Sequence, residues 1–238
     1  MHNEIKDIAT SNHNKFQGTV KGKTIIFVGP ANTLEGKGQG WLIDEYDLVV
    51  RTNDGIDVAK QSPEDYGSKC DAIFLNNNWC RRKLKDFQFP EELKFIFLKA
   101  HSASAGYKRK DLWSKITMAR SISRKNKLRQ LWKEGDRLKE PLQSSHVAFN
   151  IVDYKVAQLT FTGIDFYESE QSWNKAYNVG IDQDREKHIR TKGHSLRGEK
   201  RYLKALLQKG YLESDSKVLQ ILNLKDSDCK FSIPAAKK

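Results

Sequence analysis

The stretch TIIFVGPANTLEGKGQGWLIDEYDLVVRTN, residues 24–53, limits what this chain can fold into more than any other part of it. It begins with a β-branched and aromatic run that ends on Gly29 and closes with a second short apolar run from Asp47 to Arg51, so both read as buried strands. The polar turn between them carries Gly29, Gly36, Gly38 and Gly40, which permit close backbone approach. Residues 39–46 can form a short helix whose first amides suit a phosphate. A nucleotide pocket and a ligand-free βαβ unit with a tight turn both satisfy this pattern.

Two phosphate-binding motifs are excluded. Gly22-Lys23-Thr24 ends like a P-loop, but Gln17 stands where the first glycine belongs, and the motif precedes its strand instead of following it. The dinucleotide fingerprint G-x-G-x-x-G fails because Gly40 comes one residue early and Trp41 occupies the third glycine position. A nicotinamide enzyme is therefore disfavoured.

The length of 238 residues suits one α/β core, expected over residues 23–223, with a loose polar arm over 1–22 and a tail over 224–238. Three cysteines without a C-x-x-C pair, no N-x-S/T sequon and no secretory leader point to a reducing compartment, hence a cytoplasm. The charge of +12 draws polyanions or anionic membranes. Between Lys108 and Lys139 twelve Lys or Arg stand against three Asp or Glu, with Leu112, Ile116, Leu128, Leu131 and Trp132 at near-helical spacing. This segment reads as a solvated helix face, as a surface for lipid headgroups or an anionic acceptor, or, third, as a nucleic-acid site.

Along the rest of the chain, residues 71–75, 94–98 and 157–162 read as strands, with helices over 79–87, from Ser145, and over 197–209 capped by Gly210. Asn76, Asn77 and Asn78 follow the third strand, as loop caps or as ligand contacts. Residues 168–193 suit a loop or lid. Asp182-Gln-Asp184 within them is either a charged loop or a D-x-D motif that would hold a divalent ion against a sugar diphosphate. His194 and Glu199 stand just before and within the start of the last long helix, and a histidine titrates where a general base must.

Three of these stretches resemble the sialylmotifs of the animal-type sialyltransferase family. Gly29, Leu34, Gly40, Ile43, Asp44, Asp47, Val49, Arg51 and Asn53 match the large motif in register, and Glu64 to Lys69 is similar to its continuation. Pro30 replaces the motif asparagine that helps hold the donor phosphate, a contact that would pass to Asn32 or Thr33. Pro141, Ser144, Ser145, Gly163 and Asp165 are similar to the small motif, with His146 in place of its glycine, and His194 to Glu199 matches the very small motif H-x-x-x-x-E.

The resemblance implies a single-domain Rossmann-like sheet flanked by helices, a GT-A-like variant, without the family's membrane anchor or its disulfide. It implies an inverting glycosyltransferase that moves sialic acid, or a related 2-keto sugar acid such as Kdo, from a CMP-sugar to a glycan or glycolipid hydroxyl. No cofactor or metal is expected. Gly29, Asn32, Thr33, Asn53, Ser144, Ser145, Gly163 and Asp165 would bind the donor, His146 could supply a cation there, and His194 would be the base, with Glu199 holding the local fold; His188 is a further candidate for the phosphate that no motif carries over. Ser144 reads equally as a helix N-cap. Two other classes stay open, a metal-dependent nucleotide-diphosphate-sugar transferase using Asp182 and Asp184, and a non-catalytic basic module on nucleic acid or anionic membrane.

Overall fold

The computed structural model describes residues 2–99, 102, 105, 106, 108–119, 142–167 and 196–224. Among them seven strands form one sheet: β1 (Thr24–Val28), β2 (Leu48–Thr52), β3 (Ala72–Leu75), β4 (Phe95–Leu98), β5 (Ile116–Met118), β6 (Gln158–Thr162) and β7 (Glu213–Ser214). Their order is β5-β4-β3-β2-β1-β6-β7, and every neighbouring pair is parallel. The fold is α/β and Rossmann-like, as expected. Eight helices accompany the sheet among the described residues: α1 (His2–Val20), α2 (Gly40–Asp44), α3 (Gly55–Gln61), α4 (Pro63–Tyr66), α5 (Asn77–Lys83), α6 (Gln143–Ile151), α7 (Leu196–Gln208) and α8 (Ser216–Ile221).

Parallel strands are apolar on both faces because helices cover both, and side chains alternate between them. Ile25, Phe27, Leu48, Val50, Phe74, Phe97 and Phe161 pack with Phe16 of α1, Val147 of α6, and Tyr202 and Leu206 of α7. On the opposite face Ile26, Val28 and Val49 meet Ile43 of α2 and Tyr66 of α4, while Ile73, Leu75 and Ile96 meet Trp79 of α5. Cys70 and Cys80 are free and buried, and burial pushes their thiols up to about 12 and about 11.

Three expectations need correction. Residues 1–22 are no loose arm: α1 lies against the sheet, with Phe16 set edge-on to Phe95 and Phe97 at ring-centroid distances of 5.0 and 4.7 Å and Val20 fully buried. Its inward face runs through Ala9, Asn12, Phe16 and Val20, and Asn12 donates to the carbonyls of Trp113 and Ile116 at 2.8 and 2.7 Å. Leu112 and Ile116 do not share a helix, because Leu112 ends a 3-10 turn and Ile116 opens β5, both buried in the core. Leu128, Leu131 and Trp132 lie outside the described residues. Leu224, assigned to the tail, is buried, and its amide bonds the Leu219 carbonyl at 2.9 Å. Gly210 does end α7, at φ 70°, with its amide on the Leu207 carbonyl at 2.9 Å.

Candidate functional site at the carboxyl edge of the sheet

β1 has β2 on one side and β6 on the other, so the strand order reverses between β1 and β6. In open α/β sheets ligands sit outside the carboxyl ends of the strands at such a reversal. Asn32 and Thr33 follow β1 there, Asn53 follows β2, and Gly163 and Asp165 follow β6. α6 brings Ser144, Ser145 and His146 to the same edge, because Gln143 at its start donates its side-chain amide to the Phe74 carbonyl of β3 at 3.2 Å.

Gly29 and Gly163 have a packing role of their own. The Gly29 amide bonds the Thr162 carbonyl at 2.8 Å and the Ala31 amide bonds the Gly163 carbonyl at 2.9 Å, so the two segments stay paired backbone to backbone as they leave the sheet. A Cβ on Gly29 would stand 2.3 Å from the Gly163 oxygen, and one on Gly163 2.6 Å from the Gly29 oxygen. Both are glycine because backbone meets backbone.

The glycine-rich turn is likewise committed to the fold. The Asp65 carboxylate accepts from the amides of Gly36 and Gly38 at 2.7 and 2.8 Å, so these amides are not offered to a phosphate. Gly40 lets α2 press on α4, where a Cβ would come 1.9 Å from the Pro63 oxygen. Below the turn, fully buried Arg51 donates to the carbonyls of Tyr66, Gly67 and Lys69 at 2.8, 3.0 and 2.9 Å. Asp44 takes the amides of Ser68 and Lys69 at 2.8 and 2.9 Å, and the Tyr66 hydroxyl bonds the Ala31 carbonyl at 2.8 Å. Most of the large motif thus stiffens the segment that carries Asn32 and Thr33. These two form a half-buried 3-10 turn, and the buried Thr33 Oγ1 has no hydrogen-bond partner among the described residues.

Asn53 sits at φ 48°, a left-handed conformation that asparagine tolerates better than most residues. Its amide bonds the Phe74 carbonyl at 3.2 Å, and its Oδ1 accepts from the Asn76 amide at 2.9 Å. Asn76 in turn caps α5, accepting from the Trp79 amide at 2.8 Å. The loop-cap reading of Asn76 therefore holds.

The start of α6 is held by Glu199. The Leu142 amide donates to one carboxylate oxygen of Glu199 and the Ser145 hydroxyl to the other, so the first turns of α6 and α7 are joined by one side chain. Leu142 is the N-cap, and Ser144 lies inside the first turn, buried, which removes the reading of Ser144 as the cap. Ser145 is also buried, and its hydroxyl donates to Glu199. Burial raises the Glu199 carboxyl to about 7, against the opposing pull of its two hydrogen bonds and of nearby Lys99. Glu199 holds the local fold, as expected. His188, His194, Asp182 and Asp184 lie outside the described residues.

A mammalian sialyltransferase in complex with Gal-β-1-3GalNAc-ortho-nitrophenol is similar at a TM-score of 0.56 and 14% identity, over 81% of this chain and 69% of that one. A second mammalian sialyltransferase structure is similar at 0.56 and 12% identity, over 86% of this chain and 78% of that one. The chain shares their fold. No family model and no curated protein sequence matches it. The likeness bears out the expected GT-A-like α/β sheet. The described residues contain no helix long and apolar enough to cross a membrane.

Proposed function

We propose that the chain is an inverting glycosyltransferase that moves a sialic acid, or a related 2-keto sugar acid such as Kdo, from its CMP form to a hydroxyl of a glycan or glycolipid acceptor. The observation that carries this reading is the Glu199 bridge. Glu199 comes from the stretch that resembles the very small sialylmotif, and its carboxylate takes the Leu142 amide and the Ser145 hydroxyl from the stretch that resembles the small one. Two similarities 54 residues apart in sequence thus meet through a buried contact.

The reaction asks for two things that this edge can supply. As the acceptor oxygen attacks the sugar C2, the bond from C2 to the phosphate oxygen breaks, and negative charge grows on the departing CMP. The positive end of α6, at Gln143 and Ser144, stabilises such an anion without a metal. The acceptor proton needs a base near neutrality, and His194 is the candidate. In the sequence it stands two residues before Leu196, the first residue of α7.

His194→Ala and His194→Gln test the assignment together. CMP affinity should stay near that of the wild type, while single-turnover transfer falls about 10²- to 10⁴-fold, the usual worth of a positioned base. Near-normal transfer in both variants would move the base elsewhere. A large loss of CMP affinity would make His194 a phosphate ligand instead.

A further inference from the structure

The basic segment that opens at Lys108 is anchored at its start to the end of α5. The Arg109 guanidinium donates to the carbonyls of Leu84, Lys85 and Phe87 at 2.6, 3.3 and 3.0 Å, in the turn that closes that helix. Asp111 accepts from its Nε and Nη2 at 2.9 and 2.6 Å, so the charge of Arg109 is matched and the residue serves the fold. The cations around it are not matched. Lys108 and Lys110 are exposed on either side of Arg109 in the chain, and Arg81, Arg82 and Lys85 are exposed on the helix end that Arg109 grips. None of these five has an ion pair or a side-chain hydrogen bond among the described residues, whereas Lys83 of the same helix pairs with Asp54 and Asp57.

A helix end attracts cations on its own account, because its free carbonyls carry partial negative charge. Arg109 already meets those carbonyls, so that need does not explain the other five. Between residues 81 and 89 they face a single acid, Asp86, and Asp111 is taken up by Arg109. Aromatic rings lie among them. Phe87 and Phe89 follow the helix end with ring centres 4.9 Å apart, Phe87 meets Trp79 edge-on at 5.1 Å, and Trp113 comes three residues after Lys110. Phe87, Phe89 and Trp113 are only half-buried. Cations interspersed with half-buried rings suit the headgroup layer of a membrane, where lipid phosphates take the charges and the rings meet the acyl boundary. Rings packed edge-on upon each other do not form the free platforms on which nucleic-acid bases stack.

We propose that Arg81, Arg82, Lys85, Lys108 and Lys110, with the half-buried rings between them, form a surface that docks the protein on an anionic lipid membrane. The inference goes beyond the donor reading and does not depend on it. α5 starts at the carboxyl end of β3 and runs back along the sheet, so the surface lies at the far end of that helix from the carboxyl edge and leaves the candidate site open.

The test is co-sedimentation of the full chain with vesicles of phosphatidylcholine alone, or with about 30% phosphatidylserine, at about 0.1 and 0.5 M NaCl. Wild type should bind the anionic vesicles at the lower salt and leave them at the higher one. Each cation near such a surface is worth about fivefold in partition. The double variant Lys108→Gln, Lys110→Gln should therefore bind about 20-fold more weakly, and the triple variant Arg81→Gln, Arg82→Gln, Lys85→Gln about 100-fold, both with the unfolding temperature of the wild type. A control with Lys21→Gln, Lys60→Gln and Lys217→Gln, all exposed elsewhere, loses as much charge as the triple variant and should keep most of the binding. An equal loss in the control overturns the proposal, because net charge alone would then explain it. Wild type that binds both kinds of vesicle alike, or neither, overturns it too. Unchanged binding in both patch variants moves the contact to other residues and rejects this surface. Single-stranded RNA that binds wild type but not the patch variants, with no binding of vesicles, would make the surface a nucleic-acid site instead.

Discussion

Glu199 joins two helix starts in a place that water does not reach, and its ionisation is correspondingly costly. Burial raises its pKa from the ordinary 4.5 to about 7, so the folded state favours the protonated carboxyl. The contribution to stability is fully present below pH 4.5 and is lost as the pH rises through about 7. Denaturant unfolding at a series of pH values should show this decline between pH 4.5 and 7, and Glu199→Gln, which mimics the neutral form, should flatten it. A decline that survives unchanged in Glu199→Gln would assign the titration to another group. Sequence alone offered H-x-x-x-x-E as a pair and suggested a structural part for its glutamate. Which groups the glutamate binds could not be read there, because Leu142 and Ser145 lie 57 and 54 residues away along the chain. Shorter separations hid the partners of Asp65 and Arg51, whose work is to hold backbone 27 to 29 residues earlier or 15 to 18 residues later in place.

At the scale of elements, β1 to β4 and β6 were legible because each is a compact apolar run, buried on both faces and bounded by turn residues. β5 and β7 were not, being edge strands of three and two residues that carry too little pattern. α1 escaped because Asn12 occupies an inward position at which an apolar residue would have completed the helical period. The glycines of the first turn were read for their freedom towards a ligand, whereas contact with other backbone decides two of them, Gly29 and Gly40. Gly29→Ala tests this directly. The added methyl meets the Gly163 oxygen at 2.3 Å in a place where both chains are tied to the sheet, so it should destabilise the protein by about 1–3 kcal/mol. Chemical denaturation at fixed pH measures the loss. Full stability in Gly29→Ala would mean that the approach of Gly29 to Gly163 is wider than the structure shows.

For the whole molecule, a parallel seven-stranded sheet places its reversal of order, the start of α6 and the start of α7 at one edge. That convergence was not legible in the sequence, where strands and helices alternate along the chain but the reversal of strand order does not show. Nor were the surroundings of His194, or those of the basic residues beyond Ala119. The central claim is that this edge takes a cytidine monophosphate, and the most direct measurement is the thermal unfolding of the full chain with CMP, CDP, UDP and GDP, each with EDTA and with Mn²⁺. A ligand at 100 times its Kd adds about 2.7 kcal/mol to the folded state, which in a chain of this size raises Tm by about 5–10 °C. The account predicts such a rise with CMP, equal in EDTA and in Mn²⁺, and smaller rises with UDP and GDP. A rise with UDP or GDP that requires Mn²⁺, and none with CMP, would contradict it.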